Sequence, residues 1–355
     1  MYPHILKYLK QDYEIEAYQT ATDGDVLWGE LVQKKSKKRY PIWNGVLILV
    51  QDLDDYLSRH IVGVKEHVAL DQVKGSFNTF LKEYYSSFNE ALNSGEIQMD
   101  DESLESERVT TLYWLNHYAS ANSLIELNPD MAPFMKELVQ KYWDCGPLSK
   151  VRDFFKAKNL KGSLIEIGCG TGGLAHKLSD NLSAYLGVDT SYQGVFRARQ
   201  ILKTKQNKYK IPTDLINGSL SAMIKGEASE RLPLETEFIV ADIEADFFKA
   251  ETWDFTAAFN VIDMLHDPQD LFWVQKKLMK SGGVALQSSP YIWPPEVSKK
   301  MDKTDTHSSP EWLLKTAKNL GLNQVLLNET HIPWIFYKNS RQIETYSVHL
   351  AAFQK

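Results

Sequence analysis

The sequence predicts an α/β protein whose carboxyl-terminal part is built on a parallel sheet. Two observations predict it. From residue 163 onward, short apolar strands alternate with amphipathic helices, which is the rhythm of βαβ units. At the end of the first strand, "EIGCGTGG" (166–173) places four glycines within six residues. A strand or a helix would be weakened by them, so the backbone there must turn sharply or be approached closely.

Taken in order, residues 1–60 read as a small β-rich domain. "DVLWGELVQ" alternates loosely, and in "YPIWNGVLILV" Pro41 precedes a strand, Asn44-Gly45 makes a turn, and a buried strand follows. The basic run "KKSKKR" at 34–39 reads as a solvated hairpin turn. Residues 61–158 read as a helical linker or lid. "FNTFLKEYYSSFNEAL" has helical spacing, and "RVTTLYWLNHYASA", "MAPFMKELVQKYWDCG" and "LSKVRDFFKAKN" follow it. Between them the acidic "SGEIQMDDESLESE" at 94–107 reads as an exposed connection. Residues 159–355 carry the α/β rhythm. The strands are "SLIEIG", "AYLGVD", "EFIVADI", "WDFTAAFNVI" and "VALQSS". The intervening helices are "GGLAHKLSDNL", "YQGVFRARQILKTK" and "PQDLFWVQKKLMKSGG", the last stopped by its glycines.

Composition bounds the class. The 355 residues suffice for two or three domains, and 43% hydrophobic with 24% charged residues is typical of a soluble globular chain. No apolar run approaches the roughly 18 residues that span a bilayer, and the first residues are too polar for a signal peptide. A cytoplasmic protein without a membrane partner is expected. The net charge of −6 disfavours nucleic acid as a partner. Two cysteines, Cys145 and Cys169, exclude a cysteine-built zinc ribbon and a disulfide framework, and no metal is expected.

In an open α/β sheet a ligand lies outside the carboxyl ends of the strands. Gly168, Gly170 and Gly172 make the turn after the first strand, in the pattern E-x-G-x-G-x-G from Glu166. This is neither the dinucleotide G-x-G-x-x-G nor a Walker loop, which disfavours a pyrophosphate. Asp189 ends the second strand, where a carboxylate can accept both hydroxyls of a ribose. Asp242 ends the third, where it can accept from an adenine amino group while Ile243 packs on the ring. The fourth delivers Asn260 and Asp263 to where a reacting group should lie.

In this order and spacing the residues resemble the class I S-adenosylmethionine-dependent methyltransferases. The matching stretches are "EIGCGTG", "GVD", "ADI", "WDFTAAFNVIDML" and "LMKSGGVALQSSPY", over roughly 163–290. The resemblance implies a Rossmann-like seven-stranded domain with S-adenosylmethionine as cofactor. It implies that Glu166, Gly168, Cys169, Gly170, Thr171 and Gly172 hold the methionine part. Asp189 with Thr190 would hold the ribose and Asp242 with Ile243 the adenine, with Asn260 beside them. "NVIDML" lacks the Asn/Asp-Pro-Pro-aromatic motif of the enzymes that methylate adenine N6 and glutamine amides.

"NVIDMLHDP", "SPYIW" and "IPWIFYKNSRQ" resemble the methyltransferase domain of ovothiol synthases and related bacterial small-molecule methyltransferases, which implies a small acceptor methylated at a nitrogen, such as a histidine-like imidazole. "YPIWNGVLILV" is similar to the zinc-ribbon-like domain of methyltransferase activator subunits. Lacking cysteines, it would be metal-free and serve packing, homodimer formation or substrate covering.

Methyl transfer from a sulfonium needs alignment and desolvation, and a protonated nucleophile needs a base or an orienting carboxylate. Asp263, His266 and Asn260 are the nearest candidates. Tyr291, Trp293 and Trp334 could wall the acceptor pocket, Arg341 could hold a substrate carboxylate, and Tyr142 or Trp143 could cover the site. Plainer roles stand beside these. His266 can cap the next helix, Arg341 can pair with Glu344, His349 can be a buried structural histidine, and Cys169 can be a small packing residue. A methyltransferase acting on RNA or protein, and a cofactor-binding partner module without catalysis, remain alternatives at this point.

Overall fold

A computed structural model describes residues 1–95, 106–204, 208–212, 220–225, 235–301 and 306–355. The acidic connection expected at 94–107 lies largely outside the described residues. Four antiparallel strands open the chain: β1 (Tyr13–Thr20), β2 (Val26–Gln33), β3 (Arg39–Trp43) and β4 (Val46–Leu49). Then come β5 (Gly162–Ile167), β6 (Leu182–Asp189), a separate ladder of β7 (Lys208–Pro212) and β8 (Leu220–Lys225), β9 (Glu235–Ala241), β10 (Trp253–Phe259), β11 (Met279–Ser289), β12 (Gln324–Asn339) and β13 (Gln342–Gln354). Eleven of the described strands form one sheet in the order β1-β2-β3-β4-β9-β6-β5-β10-β11-β13-β12. From β4 through β11 neighbours run parallel, and β13 lies antiparallel between β11 and β12.

The helices are α1 (Leu53–Lys65), α2 (Phe77–Ser94), α3 (Ser106–Tyr118), α4 (Ala121–Leu127), α5 (Pro133–Tyr142), α6 (Pro147–Ala157), α7 (Gly173–Lys177), α8 (Tyr192–Thr204), α9 (Pro268–Leu278), α10 (Pro295–Met301) and α11 (Ser309–Asn319). Strand alternation divides the core between the two faces of the sheet. Leu164 and Val240 join Trp114, Phe155 and Tyr192 on one face. Ile165 and Ile239 face the other way, beside Trp253, and farther along that face Ala285 joins Phe272 and Trp312. The central strands are therefore apolar on both faces, as parallel strands covered by helices must be.

Local chemistry explains the boundaries. Asn44 and Gly45 turn with φ of 49° and 78°, the mirror-image geometry that suits strand twist. Pro41 sits inside β3, not before it. There β3 pairs with β2 alone, because its pairing with β4 begins at Ile42, so the missing N–H costs no ladder bond on that side. Residues 34–38 form the turn between β2 and β3, while Arg39, expected in the solvated turn, opens β3 opposite Val32 and pairs with Glu16 and Glu30. The helix expected to reach Gly282–Gly283 ends at Leu278. Met279 is fully buried and already pairs with Trp253 as the first residue of β11, so burial outweighs the glycine stop.

Two long-range features position the site. The amino-terminal strands continue the sheet through β4, whose Ile48 and Leu49 pair with Val240 and Ala241 of β9. Arg199 of α8, itself buried, bridges the same junction with ion pairs to Asp25 (2.6 Å) and Glu237. At the other edge, β13 parts from β11 after Ser289 opposite His349, and the β12–β13 hairpin runs on alone to its turn at 340–341. Asn116 of α3 holds that extension: its Oδ1 accepts from Tyr337 N (2.9 Å) and its Nδ2 donates to Tyr337 O (3.2 Å).

Candidate active site

Strand order reverses at β5. β6 and β9 lie to one side and β10 and β11 to the other, so the carboxyl ends of β5 and β10 flank a crevice. Register aligns the ends: Ile167 stands opposite Val188 and Ala258, Asp189 opposite Val240, and Phe259 opposite Ser288.

The glycine turn sits in this crevice. Gly168, Gly170 and Gly172 all have left-handed φ, of 71°, 49° and 80°. A Cβ on Gly168 would lie 2.4 Å from Val261 Cγ2, whereas one on Gly170 meets nothing within 4 Å. Gly168 is therefore required by packing and Gly170 faces open space. Beneath them the Cys169 side chain is buried against Gly187, where a Cβ would come within 2.9 Å of its Sγ. Burial pushes its thiol well above the ordinary range, which suits a packing role.

Glu166 is buried at the end of β5 and accepts a hydrogen bond from the Tyr185 hydroxyl. Burial pushes its carboxyl up to about 8; the Tyr185 bond opposes this and the Asp189 charge adds to it. Asp189 is half-buried. Its Oδ2 accepts from Gly170 N and its Oδ1 from Ser191 N, both at 2.8 Å, so the backbone fixes its carboxylate beside the glycine turn. Each oxygen keeps acceptor capacity for a further donor. Burial raises this carboxyl, and those N–H groups pull it back. Thr190 is exposed, and its carbonyl accepts from Tyr56 of α1 (3.0 Å). Asp242 is exposed just past β9 and turns its own loop, accepting from Glu244 N (2.9 Å), with Ile243 half-buried beside it.

At the end of β10, Asn260 adopts φ of 57°, a strained geometry outside glycine, and its N–H donates to Ser288 O (2.8 Å). Asp263 is buried, with Oδ2 accepting from Ile292 N (3.0 Å). Among the described residues, Asn260 Oδ1 and Asp263 Oδ1 are buried acceptors without a partner. His266 is exposed; the cap of α9 is Asp267, which accepts from Gln269 N.

Past β11, Tyr291 is also left-handed (φ 59°), and its ring lies 5.4 Å from that of Trp293, whose Nε1 donates to Ser309. The Tyr291 hydroxyl meets His349 Nδ1 at 2.6 Å, and His349 Nε2 meets Asn328 Oδ1 at 2.7 Å. Because Asn328 Oδ1 only accepts, His349 carries its proton on Nε2 and Tyr291 donates to Nδ1. Burial lowers His349 to about 4, so the imidazole is neutral. Trp334 groups with Phe336 and Tyr346 on the projecting hairpin. Arg341 is exposed at the hairpin turn, where Glu344 pairs instead with Lys338.

The sequence offered a lid within 61–158 but did not single out the residues that make its contact with the turn, His117 and Tyr118. His117 Nδ1 contacts Thr171 Oγ1 (2.9 Å), and the Tyr118 hydroxyl donates to Thr171 O (2.8 Å), so α3 rests directly on the glycine turn. Burial lowers His117 to about 4, with Lys177 and His176 adding to it. No local pattern marks these residues, because the contact spans more than fifty positions. Trp143 donates to Ala119 O (2.8 Å), the residue after α3. Among the described residues, no group of three or more His, Cys, Asp or Glu could hold a metal ion. No helix there is long and apolar enough to cross a membrane. The open space at Gly170, the fixed Asp189 carboxylate and the unpartnered acceptors past β10 fit a nucleoside-type cofactor with a second ligand beside it.

Comparison with known proteins adds the family. A model described as a methyltransferase domain matches residues 135–344. Solved structures are similar to the chain at low identity. One is magnesium protoporphyrin IX methyltransferase from Synechocystis with bound S-adenosylhomocysteine (14% identity, 59% of this chain and 81% of that one, TM-score 0.35). Another is an S-adenosylmethionine-dependent methyltransferase from Thermotoga maritima (16%, 58% and 88%, TM-score 0.34). A third is phosphoethanolamine N-methyltransferase 2 from Haemonchus contortus in complex with S-adenosylmethionine (16%, 48% and 35%, TM-score 0.32). A comparison with curated proteins gives no match.

Proposed function

Since the chain belongs to the methyltransferase-domain family, with S-adenosylmethionine as its methyl donor, we propose that it methylates a nitrogen of a small molecule. The observation that carries this reading is the roofed crevice. Helix α3 sits on Thr171 and is itself clamped to the β12–β13 hairpin through Asn116, so the chain covers its own site. A roofed site suits a small acceptor, and the net charge of −6 does not favour RNA. A histidine-like imidazole, implied by the resemblance to ovothiol synthases, is the first acceptor to screen.

The residues divide the work. The glycine turn from Glu166 to Gly172 would take the methionine part. Asp189 would accept from the ribose hydroxyls, and Asp242 with Ile243 would take the adenine. Bound there, S-adenosylmethionine supplies a methyl group already activated on a sulfonium. The protein then has to orient the acceptor and exclude water. Asp263 would accept an N–H of the acceptor and so fix its lone pair, and its charge would favour the positive charge that nitrogen gains. Asn260 supplies a second acceptor, and His266 stands at the exposed mouth. Tyr291 and Trp293 would wall the acceptor, with Tyr291 held by neutral His349. Trp334 and Arg341, on the hairpin, would bound the outer side. The proposed home is the cytoplasm, and the amino-terminal strands would serve as packing or dimer surface.

Calorimetric titration with S-adenosylmethionine tests the site. Micromolar binding that weakens at least about a hundredfold in Asp189→Ala is expected, since two charge-assisted hydrogen bonds are lost. Undiminished affinity in the variant would refute this placement.

A further inference from the structure

The mouth of the crevice, between the end of β9 and the start of α9, carries an unbalanced charge. Past β9 stand Asp242 and Glu244, and at the start of α9 stand Asp267 and Asp270. These groups are near enough to interact. After partial desolvation, Asp242, Asp270 and Asp267 each push the Glu244 carboxyl upward, and His266 is the basic group that opposes them. The amino terminus of α9 contributes about half a positive charge against these four carboxylates, so the rim stays negative.

Past β10, Asp263 is 6% exposed and its Oδ1 has no partner among the described residues; neither has the buried Oδ1 of Asn260. Both are acceptors, so neither can satisfy the other, and a buried acceptor left unmade costs about 1–3 kcal/mol, more when charged. What completes them must bring donors. The mouth beside them is apolar: Ile292, whose N–H binds Asp263 Oδ2, is 62% exposed and Met264 is 80% exposed.

From the unpartnered Asp263 and Asn260 oxygens beside an acidic mouth, we infer that the acceptor is a small molecule with an apolar body that binds as an N–H-bearing cation and gives a proton to Asp263 before the freed lone pair attacks the methyl group. This rests on the methyltransferase reading of the same crevice and adds the sign of the acceptor's charge. A negatively charged acceptor would meet the rim carboxylates and a buried one at once, with no basic partner among them but His266.

The test uses the full chain saturated with S-adenosylhomocysteine and three probes of one shape: phenylethylamine, phenylacetamide and phenylacetate. Calorimetry should rank the cation first and the anion at least about tenfold weaker. In Asp263→Asn, which keeps an oxygen for Ile292 N, the preference should fall to about threefold or less while affinity for S-adenosylhomocysteine is unchanged. The double variant Glu244→Gln/Asp270→Asn should lose part of the preference and most of its salt dependence. Equal binding of anion and cation, an undiminished preference in Asp263→Asn, or no binding of any probe to the S-adenosylhomocysteine complex overturns the inference. Failure to bind S-adenosylhomocysteine at all would instead overturn the reading on which it rests.

Discussion

Gly168 and Gly170 share a left-handed backbone but not a reason for lacking a side chain. At Gly168 a methyl group collides with Val261, so Gly168→Ala should lower stability by about 1–3 kcal/mol in thermal or denaturant unfolding. At Gly170 the space is open and the cost is conformational, about 1 kcal/mol, yet cofactor binding should be lost if the methyl stands in the place proposed for the methionine part. Comparing the two by melting and by titration separates a folding glycine from a binding one. Glu166 makes a second residue-scale prediction. Its folded carboxyl titrates near 8 against a usual 4.5. The neutral form is the one the fold favours, so its contribution is complete below about 4.5 and is lost as pH rises through 8. Glu166→Gln should therefore gain on the parent protein between pH 5 and pH 9, by on the order of 1–3 kcal/mol in denaturant midpoints. A parallel pH dependence in both proteins would show that Glu166 is ionised in the fold.

At the scale of elements, α3 and the β12–β13 hairpin hold one another over the glycine turn. Asn116→Ala strips partners from the N–H and C=O of Tyr337, a residue that is fully buried. The expected cost is about 2–3 kcal/mol, together with faster limited proteolysis near 340–341 and weaker cofactor binding through the loosened roof. A variant as protease-resistant as the parent would mean that the hairpin is held by its aromatic packing instead. The helix boundaries teach a related lesson. The cap Asp267 and Pro268 define the start of α9 locally, whereas its end is set by Met279 pairing across the sheet to Trp253.

At the scale of the whole molecule, the amino-terminal strands and the parallel strands share one sheet, joined through β4 and β9 and by the buried Arg199 network. Removing Arg199 takes away the guanidinium that faces Glu237, which is 1% exposed. Arg199→Met should cost about 3–5 kcal/mol, and the parent should unfold in a single calorimetric transition. Two transitions, with only the first moved by the substitution, would mark the amino-terminal strands as an independent unit.

The sequence by itself determined the α/β class, the glycine turn and the acidic strand ends. These are local signals: φ above zero demands glycine, a strand's carboxyl end is fixed by its own apolar run, and Asn44-Gly45 makes its own turn. It also marked Asn260 and Asp263, because their strand is legible. The tertiary structure alone decided that β4 would pair with β9, that Tyr185 would reach Glu166, and that α3 would rest on Thr171. Those contacts join residues 19 to 192 positions apart. Their energy comes from burial and hydrogen bonds completed only when the chain has closed on itself, and no periodicity in the residues can announce them.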